Sequence, residues 1–174
     1  MAHEGVGSRV RRGALASLLL IFALAACGGC SSDTSPGTEP ICNKVVDDAA
    51  DVVPTASAEA VPTASGGTIL PGTYELSAVT VYVGAGASTD LPAQTLSQVF
   101  VITKDVIEQA SKVNDVESHA TTSFSVSGAT LSTKDTCPAP RSEDLEFTAT
   151  DTDLRLYAVR SRGTFEQVYT LRAN

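Results

Sequence analysis

The sequence predicts an all-β domain, an eight-stranded antiparallel up-and-down barrel. Two observations carry this prediction. After Gly67 apolar and polar residues alternate with a period of 2, and turn residues recur at short intervals, so that eight short strands fit before Asn174. A meander of this kind leaves two exposed edges unless it closes, and closure into a barrel removes both edges. A two-sheet sandwich satisfies the same pattern and is the alternative.

The first predicted strand contains an irregularity. Tyr74 and Leu76 lie on one parity of the alternation, whereas Val79 and Val81 lie on the other. A β-bulge near Ser77 would return these residues to one buried face and sharpen the bend of the strand. The predicted strands cover residues 73–83, 95–103, 106–113, 119–126, 130–136, 144–149, 154–160 and 165–172.

The hairpins provide a check, because a turn decides which side chains face each other across two strands. The first tight turn places Ile102 opposite Ile107. A turn over residues 161–164 would place Leu156 opposite Tyr169. These apolar partners share one face of the sheet, as a buried interior requires.

The N-terminus has the parts of an export signal. Arg9, Arg11 and Arg12 form a positive region, and an apolar run over 13–26 follows it. This run is shorter than the roughly 20 apolar residues that a membrane-spanning helix needs. We therefore expect residues 1–26 to be a cleaved signal peptide.

The end of the run, Leu24-Ala25-Ala26-Cys27, resembles a bacterial lipobox. The resemblance implies cleavage before Cys27, a diacylglycerol on its thiol and a lipid anchor in the membrane. Gly28 follows where an Asp would favour the inner membrane, so the resemblance favours the outer membrane. Cleavage before Cys30 is the alternative, and it lacks the aliphatic residue usual three positions earlier.

We expect residues 27–67 to form a lipidated N-terminus and a disordered tether, and residues 68–174 to form the barrel domain. The tether is rich in Ser, Thr, Pro, Ala and Asp, and it shows no sustained period of 2 or 3.6. Within it the pentapeptide at 53–57 recurs at 61–65, which is typical of low-complexity spacers.

The charge excludes one class of partner. The chain has 12 Lys and Arg against 20 Asp and Glu, a formal net charge of −8. Nucleic-acid binding depends on neutralising phosphates with basic residues, so we expect no nucleic-acid partner.

The cysteines predict one disulfide. With Cys27 lipidated, Cys30, Cys42 and Cys137 remain. Cys137 follows a predicted strand, and Cys42 lies in a part of the tether that has a few apolar residues, so we predict a Cys42–Cys137 bond. The CxxC spacing of Cys27 and Cys30 also matches a redox or zinc half-site, but no second pair accompanies it.

Catalytic motifs are not evident in the sequence. His119 is the one imidazole after the leader, and its neighbour Ser118 would point to the opposite face of a strand. The sequence contains no Gly-rich phosphate loop and no metal-spaced cluster. We therefore expect a protein that is not an enzyme and that uses no cofactor or metal.

Gly72-Thr73-Tyr74 resembles the Gly-x-Trp motif on the first strand of lipocalins, with Tyr in place of Trp. Arg172, near the end of the last strand, is similar to the arginine that packs over that aromatic ring in lipocalins. The resemblance implies a calycin-like barrel, closed at one end by a cation–ring contact between Tyr74 and Arg172.

The predicted inner face leads to the functional hypothesis. Bulky residues alternate there with small or amide side chains such as Gln98 and Gln109, which would leave volume and unpaired polar groups. We expect an envelope lipoprotein that binds a small amphipathic molecule or a protein partner. A structural or surface-coat lipoprotein with a packed barrel is the alternative. The predicted ligand contacts are Tyr74, Tyr82, Phe100, Phe147, Tyr169 and Arg172.

Overall fold

The structure, a computed structural model, describes residues 42–173, in which nine strands and no helix are found. The predicted signal peptide, Cys27 and Cys30 lie outside the described residues. The strands are β1 (Thr55–Ser57), β2 (Gly72–Tyr82), β3 (Leu96–Thr103), β4 (Val106–Val113), β5 (Val116–Ser127), β6 (Thr130–Cys137), β7 (Arg141–Ala149), β8 (Asp153–Arg160) and β9 (Gly163–Leu171).

Strands β2 to β9 form a closed antiparallel barrel. Each strand pairs with the next, and β2 also pairs with β9, which closes the sheet on itself. The extra strand β1 lies parallel to the end of β2. The predicted lipocalin-like up-and-down barrel is therefore confirmed, and the sandwich is wrong because a sandwich would leave β2 and β9 unpaired.

Local features of the first strands agree with the sequence pattern. The register between β2 and β9 shifts between Leu76 and Ala78, which confirms the bulge at Ser77. Ile102 faces Ile107 across the turn between β3 and β4. The turn between β4 and β5 has positive φ at both central residues, Asn114 (48°) and Asp115 (67°), as two-residue hairpins that match the strand twist require.

The predicted register between β8 and β9 is wrong by two residues. Leu154, rather than Leu156, faces Tyr169, because the turn contains only residues 161–162. Gly163 already belongs to β9 with φ of 141°, and a Cβ there would lie 2.1 Å from the carbonyl oxygen of Tyr82. Glycine at this position lets β9 begin immediately after the turn.

The two ends of the barrel differ. We call the end with the turns between β3 and β4, β5 and β6, and β7 and β8 the closed end. Near it Leu131, Phe147 and Leu154 each have 0% of their surface exposed. We call the opposite end, which carries the turns between β4 and β5, β6 and β7, and β8 and β9, the open end. The apolar core therefore lies towards the closed end.

The predicted domain boundary at residue 68 is wrong, because residues 42–67 are ordered and lie on the outside of the barrel. We call this segment the wrap. The Asn43 amide donates to the carbonyl oxygens of Gln109 (3.1 Å) and Ala120 (2.7 Å), and the Ser97 hydroxyl donates to Asp47 Oδ2 at 2.6 Å. These polar contacts hold the wrap without any apolar alternation in its sequence.

The wrap also explains why both faces of β3 are buried. Leu96 and Phe100 face the interior, whereas Val99 faces outward and still has only 1% of its surface exposed. Its outward-facing register partner Ala110 is 0% exposed. The outer face of β3 and β4 is therefore covered by the wrap rather than by solvent.

The wrap completes the sheet at two places. β2 and β3 pair only over residues 72–75 and 99–102, and beyond them Val52 exchanges two backbone hydrogen bonds with Leu96. β1 then pairs with residues 80–82 of β2. At the closed end Gly66 forms a parallel bridge to Thr148 of β7. The wrap therefore supplies backbone partners that the eight barrel strands lack.

The predicted disulfide is confirmed. Cys42 and Cys137 are bonded with a Cα–Cα distance of 5.5 Å. Beside the bond, the Thr121 hydroxyl donates to the carbonyl oxygen of Cys42 at 3.0 Å. The bond fixes the start of the wrap to the last residue of β6.

Candidate functional site

Four of the predicted ligand contacts lie inside the barrel, where their side chains are buried. Tyr74, Phe100, Phe147 and Tyr169 have between 0% and 4% of their surface exposed. The rings of Phe100 and Tyr169 are stacked, with centroids 4.3 Å apart and planes inclined by 20°. The Tyr74 hydroxyl donates to the carbonyl oxygen of Leu70 at 2.9 Å. These four aromatic residues form the core of the closed half of the barrel.

Tyr82 lies on the outer face, so its prediction as an interior contact is wrong. The bulge at Ser77 brings Val81 inward, and Tyr82 consequently points outward. Its hydroxyl donates to Glu166 Oε2 at 2.8 Å. Burial and the neighbouring Glu166 carboxylate raise the pKa of Tyr82 from 10.0 to about 12.

Arg172 also lies outside the barrel, so the predicted cation–ring contact with Tyr74 is wrong. Leu171 is the register partner of Tyr74 and shares its inner face, so the next residue, Arg172, points outward. The guanidinium donates to Glu75 and to Asp48 of the wrap. The hydrogen bond from Arg172 lowers the pKa of Asp48. Arg172 therefore holds the wrap against β2.

The interior amides of Gln98 and Gln109 have protein partners, which contradicts the prediction that they are unpaired. Tyr169 donates its hydroxyl hydrogen to Gln98 Oε1 at 2.6 Å. The Gln109 amide donates to the Ser111 hydroxyl at 3.4 Å, and the Ser111 and Ser118 hydroxyls are 2.9 Å apart. Complete burial raises the pKa of Tyr169, so its phenol stays protonated as a donor.

A different part of the inner face is only half-buried. Phe124 of β5 and Leu145 of β7 both lie on the inner face, as their pairing with β6 shows. Phe165 of β9 also faces inward, because it pairs with the inward-facing Ala158 and Val81. All three of these large apolar side chains are half-buried, in contrast to the core of the closed half. Because they point inward and are still partly exposed, this part of the inner face is covered less completely than the core.

Charged side chains accompany this apolar surface at the open end. Glu143 and Phe124 both pair with Thr133 of β6, so Glu143 faces the interior as Phe124 does. Its carboxylate lies 2.5 Å from Arg160 Nη2 and 3.1 Å from Arg141 Nη2. We call Phe165, Glu143 and Arg160, together with Phe124 and Leu145 further along the inner face towards the closed end, the open-end site. The open-end site combines apolar side chains with an ion pair, so its chemistry is amphipathic.

A hydrogen bond beside the open-end site links two further inner-face side chains. The Thr122 hydroxyl donates to Asp135 Oδ1 at 2.6 Å. Asp135 is the register partner of Arg141, so two carboxylates and two guanidinium groups lie on this part of the inner face. The charges of these four groups sum to zero.

Reasoning from the sequence missed the ion pair of the open-end site. The predicted strand began at residue 144, which left Glu143 in a loop. β7 in fact begins at Arg141. The usable signal was parity, since Glu143 has the same parity as the inward-facing Leu145 and Phe147.

The outer face contains a second polar cluster, centred on Glu166, which is 3% exposed. Its carboxylate accepts hydrogen bonds from Arg155 Nη1 at 2.9 Å and the Tyr157 hydroxyl at 3.2 Å, in addition to the bond from Tyr82. The hydrogen bond to Glu166 raises the pKa of Arg155. Three donors to one buried carboxylate satisfy that carboxylate and join β2, β8 and β9.

His119 lies beside the disulfide. Its Nδ1 is 3.2 Å from Asn43 Oδ1, and its Nε2 is 3.3 Å from Glu117 Oε1. Within residues 42–173, no group of three His, Cys, Asp or Glu side chains is placed to hold a metal ion. The same part of the chain contains no helix long and apolar enough to cross a membrane.

No known protein family, curated protein or solved structure matches this chain.

Proposed function

We propose that the protein is an exported, lipid-anchored binding protein that takes a small amphipathic molecule at the open end of its barrel. The observation that carries the proposal is the open-end site. Half-buried Phe124 and Leu145 offer apolar contact, and the pair between Glu143 and Arg160 lies on the same inner face. Ligand sites in small barrels combine apolar walls with a few placed polar groups in this way.

Export and anchoring rest on the sequence and are supported by the disulfide. The lipobox-like segment that ends at Cys27 is the basis for lipid attachment, with the outer membrane favoured. Disulfides form and persist in oxidising compartments and are rare in the cytosol, so the bond between Cys42 and Cys137 agrees with export.

The proposed activity is binding rather than catalysis. The inner face offers an ion pair and aromatic rings, and His119 lies on the outer face, where Asn43 contacts it.

A titration tests the proposed ligand class. Residues 28–174, exported behind a signal that is not a lipoprotein signal, give the oxidised protein without lipid. We expect saturable binding of a fatty acid and of an uncharged apolar dye. Leu145→Arg should weaken both at least tenfold, because it places a charge among the half-buried apolar side chains. Val159→Arg, at an outward position that is 78% exposed, is the matched control and should leave both affinities unchanged.

A second variant separates the polar and apolar parts of the open-end site. Arg160→Gln removes a charge-assisted hydrogen bond worth about 1.5–3 kcal/mol. It should therefore weaken the affinity for the fatty acid about 10- to 100-fold and leave the affinity for the uncharged dye unchanged. The structural alternative is favoured by one observation, the pairing of Gln98 and Gln109 with neighbouring hydroxyl groups. If neither probe binds saturably, the packed structural barrel replaces the proposal.

A further inference from the structure

The chain that joins Cys27 to the barrel reaches it at the open end. Cys42 is bonded to Cys137, the last residue of β6, and the next residues form the connection between β6 and β7. That connection lies at the same end as the turn at residues 161–162. Within the described residues, the first covalent attachment of the chain to the barrel is therefore at the open end.

The tether predicted from the sequence would have attached the barrel at the opposite end. Gly66, at the end of that tether, donates to the carbonyl oxygen of Phe147 and accepts from the amide of Ala149, beside the turn between β7 and β8. Because the wrap is fixed at Cys42, the sequence separation between Cys27 and the first described attachment point is 42 − 27 = 15 residues rather than 66 − 27 = 39 residues. Fifteen residues span at most about 50 Å at full extension. The attachment point thus lies at the other end of the barrel and is much closer in sequence to Cys27.

The surface beside this attachment point offers a bilayer one exposed apolar side chain and one basic turn residue. Val159 of β8 is 78% exposed, which is the largest exposed fraction among the large hydrophobic side chains of the described residues. Arg162 lies in the adjoining turn, whereas Arg160 and Arg141 are paired with Glu143. The acidic residues at the same end include Glu143 and Asp135 on the inner face, Asp115 and Glu117 at the turn between β4 and β5, and Asp90 in the connection between β2 and β3.

We propose that the open end of the barrel faces and contacts the bilayer that holds the lipid on Cys27, with Arg162 at anionic headgroups and Val159 at the interface. This proposal rests on the lipid anchoring in the proposed function. It makes that membrane the source of the amphipathic ligand, since the open-end site then faces the lipid headgroups. Basic residues near an anionic leaflet are attracted to it, and an exposed apolar side chain adds contact at the headgroup boundary.

Tryptophan provides the test, because the natural chain contains none. The full-length lipidated protein is placed in vesicles that contain phosphatidylglycerol and a headgroup-labelled dansyl lipid. One variant carries Ser161→Trp at the open end, and the other carries Asp151→Trp at the closed end; both positions are exposed turn residues. We expect energy transfer from Trp to dansyl to be at least twofold more efficient for Ser161→Trp. Equal or reversed efficiencies would overturn the proposal.

A pair of double variants tests the contact itself. In the Ser161→Trp background, Val159→Thr with Arg162→Gln should lower the transfer efficiency. Val126→Thr with Lys104→Gln, which makes the same changes near the closed end, should not. If the two double variants behave alike, the proposed contact is wrong. The mass of the N-terminal peptide tests lipidation of Cys27, and the titration of unlipidated protein tests the ligand, so each failure is distinguishable from the others.

Discussion

Cys42 and Cys137 lie with their Cα atoms 5.5 Å apart although 95 residues separate them in sequence. The bond joins the first described residue of the wrap to the end of β6. Together with the hydrogen bonds of Asn43, it holds the outer face of β4 and β5 under the wrap. The stability of the barrel therefore depends on a segment outside its eight strands.

The disulfide should make a large contribution to stability. A closed loop of this length corresponds to about 4–5 kcal/mol of unfolding free energy in the chain-entropy model. We expect Cys42→Ser with Cys137→Ser to lower the free energy of unfolding by this amount in urea denaturation. The control is the wild-type protein measured with reductant, which should match the double variant. A thiol titration that found Cys137 free in the exported protein would contradict the bond.

The closed half of the barrel should tolerate truncation poorly. Phe147 is fully buried, so Phe147→Ala removes its contacts and leaves a cavity, at a cost of about 3–5 kcal/mol in unfolding free energy. Val159→Ala removes an exposed side chain and should change the free energy by less than about 0.5 kcal/mol. Chemical denaturation of both variants provides the comparison. Similar costs at the two positions would show that Phe147 is not in the core.

A glycine substitution tests whether the end of the wrap belongs to the folded domain. Gly66 has φ of +70°, and a Cβ there would lie 2.4 Å from the carbonyl oxygen of Gly128. Gly66→Ala should cost about 3 kcal/mol, because a left-handed backbone strain adds to a steric conflict with another strand connection. Gly84→Ala, with φ of +81° and no atom within 4 Å, should cost only about 1 kcal/mol. Equal costs measured by thermal denaturation would place Gly66 outside the fold.

Alkaline pH should destabilise the protein through its tyrosines. Burial raises the pKa of Tyr74, Tyr157 and Tyr169, and burial with Glu166 raises that of Tyr82 from 10.0 to about 12. Above pH 10 the unfolded chain loses phenolic protons that the folded protein retains, so unfolding becomes more favourable. The stability is therefore complete below about pH 10 and is lost as the pH rises towards 12.

The tyrosinate absorbance provides the measurement, since the chain has no Trp to overlap with it. In the native protein the absorbance should rise well above pH 10, together with loss of the β signal in circular dichroism. Tyr82→Phe should make the loss of stability between pH 10 and 12 less steep. Phenols that titrated near pH 10 in a still-folded protein would disagree with this account.

The barrel strands could be predicted because they depend on local alternation. The parity change between Leu76 and Val79 was visible in the sequence, and it corresponds to the bulge observed between Leu76 and Ala78. The disulfide was assigned by different reasoning: with Cys27 lipidated, Cys137 at a strand end and Cys42 in a short apolar stretch were the best-placed partners. The position of the turn between β8 and β9 was less predictable, since it depends on the close approach of Gly163 to the Tyr82 carbonyl.

The ordered wrap and the open-end site could not be predicted from periodicity. Asn43 and Asp47 bind the barrel through single hydrogen bonds to backbone and hydroxyl groups, and such contacts leave no repeating pattern. Likewise, Glu143 is a charged residue at the start of a strand, and only the pairing of β7 with β6 and β8 places it on the inner face with Arg160.

The sequence by itself determined the closed antiparallel meander and its bulge, because alternation and turn chemistry act between near neighbours. It also indicated the pairing of Cys42 with Cys137, because few cysteines remained to be assigned. The tertiary structure alone decided which end of the barrel receives the chain from Cys27. That decision depends on where residues 42–67 cross the outer face, and a segment held by isolated polar contacts acquires its path only when the barrel surface exists to receive it.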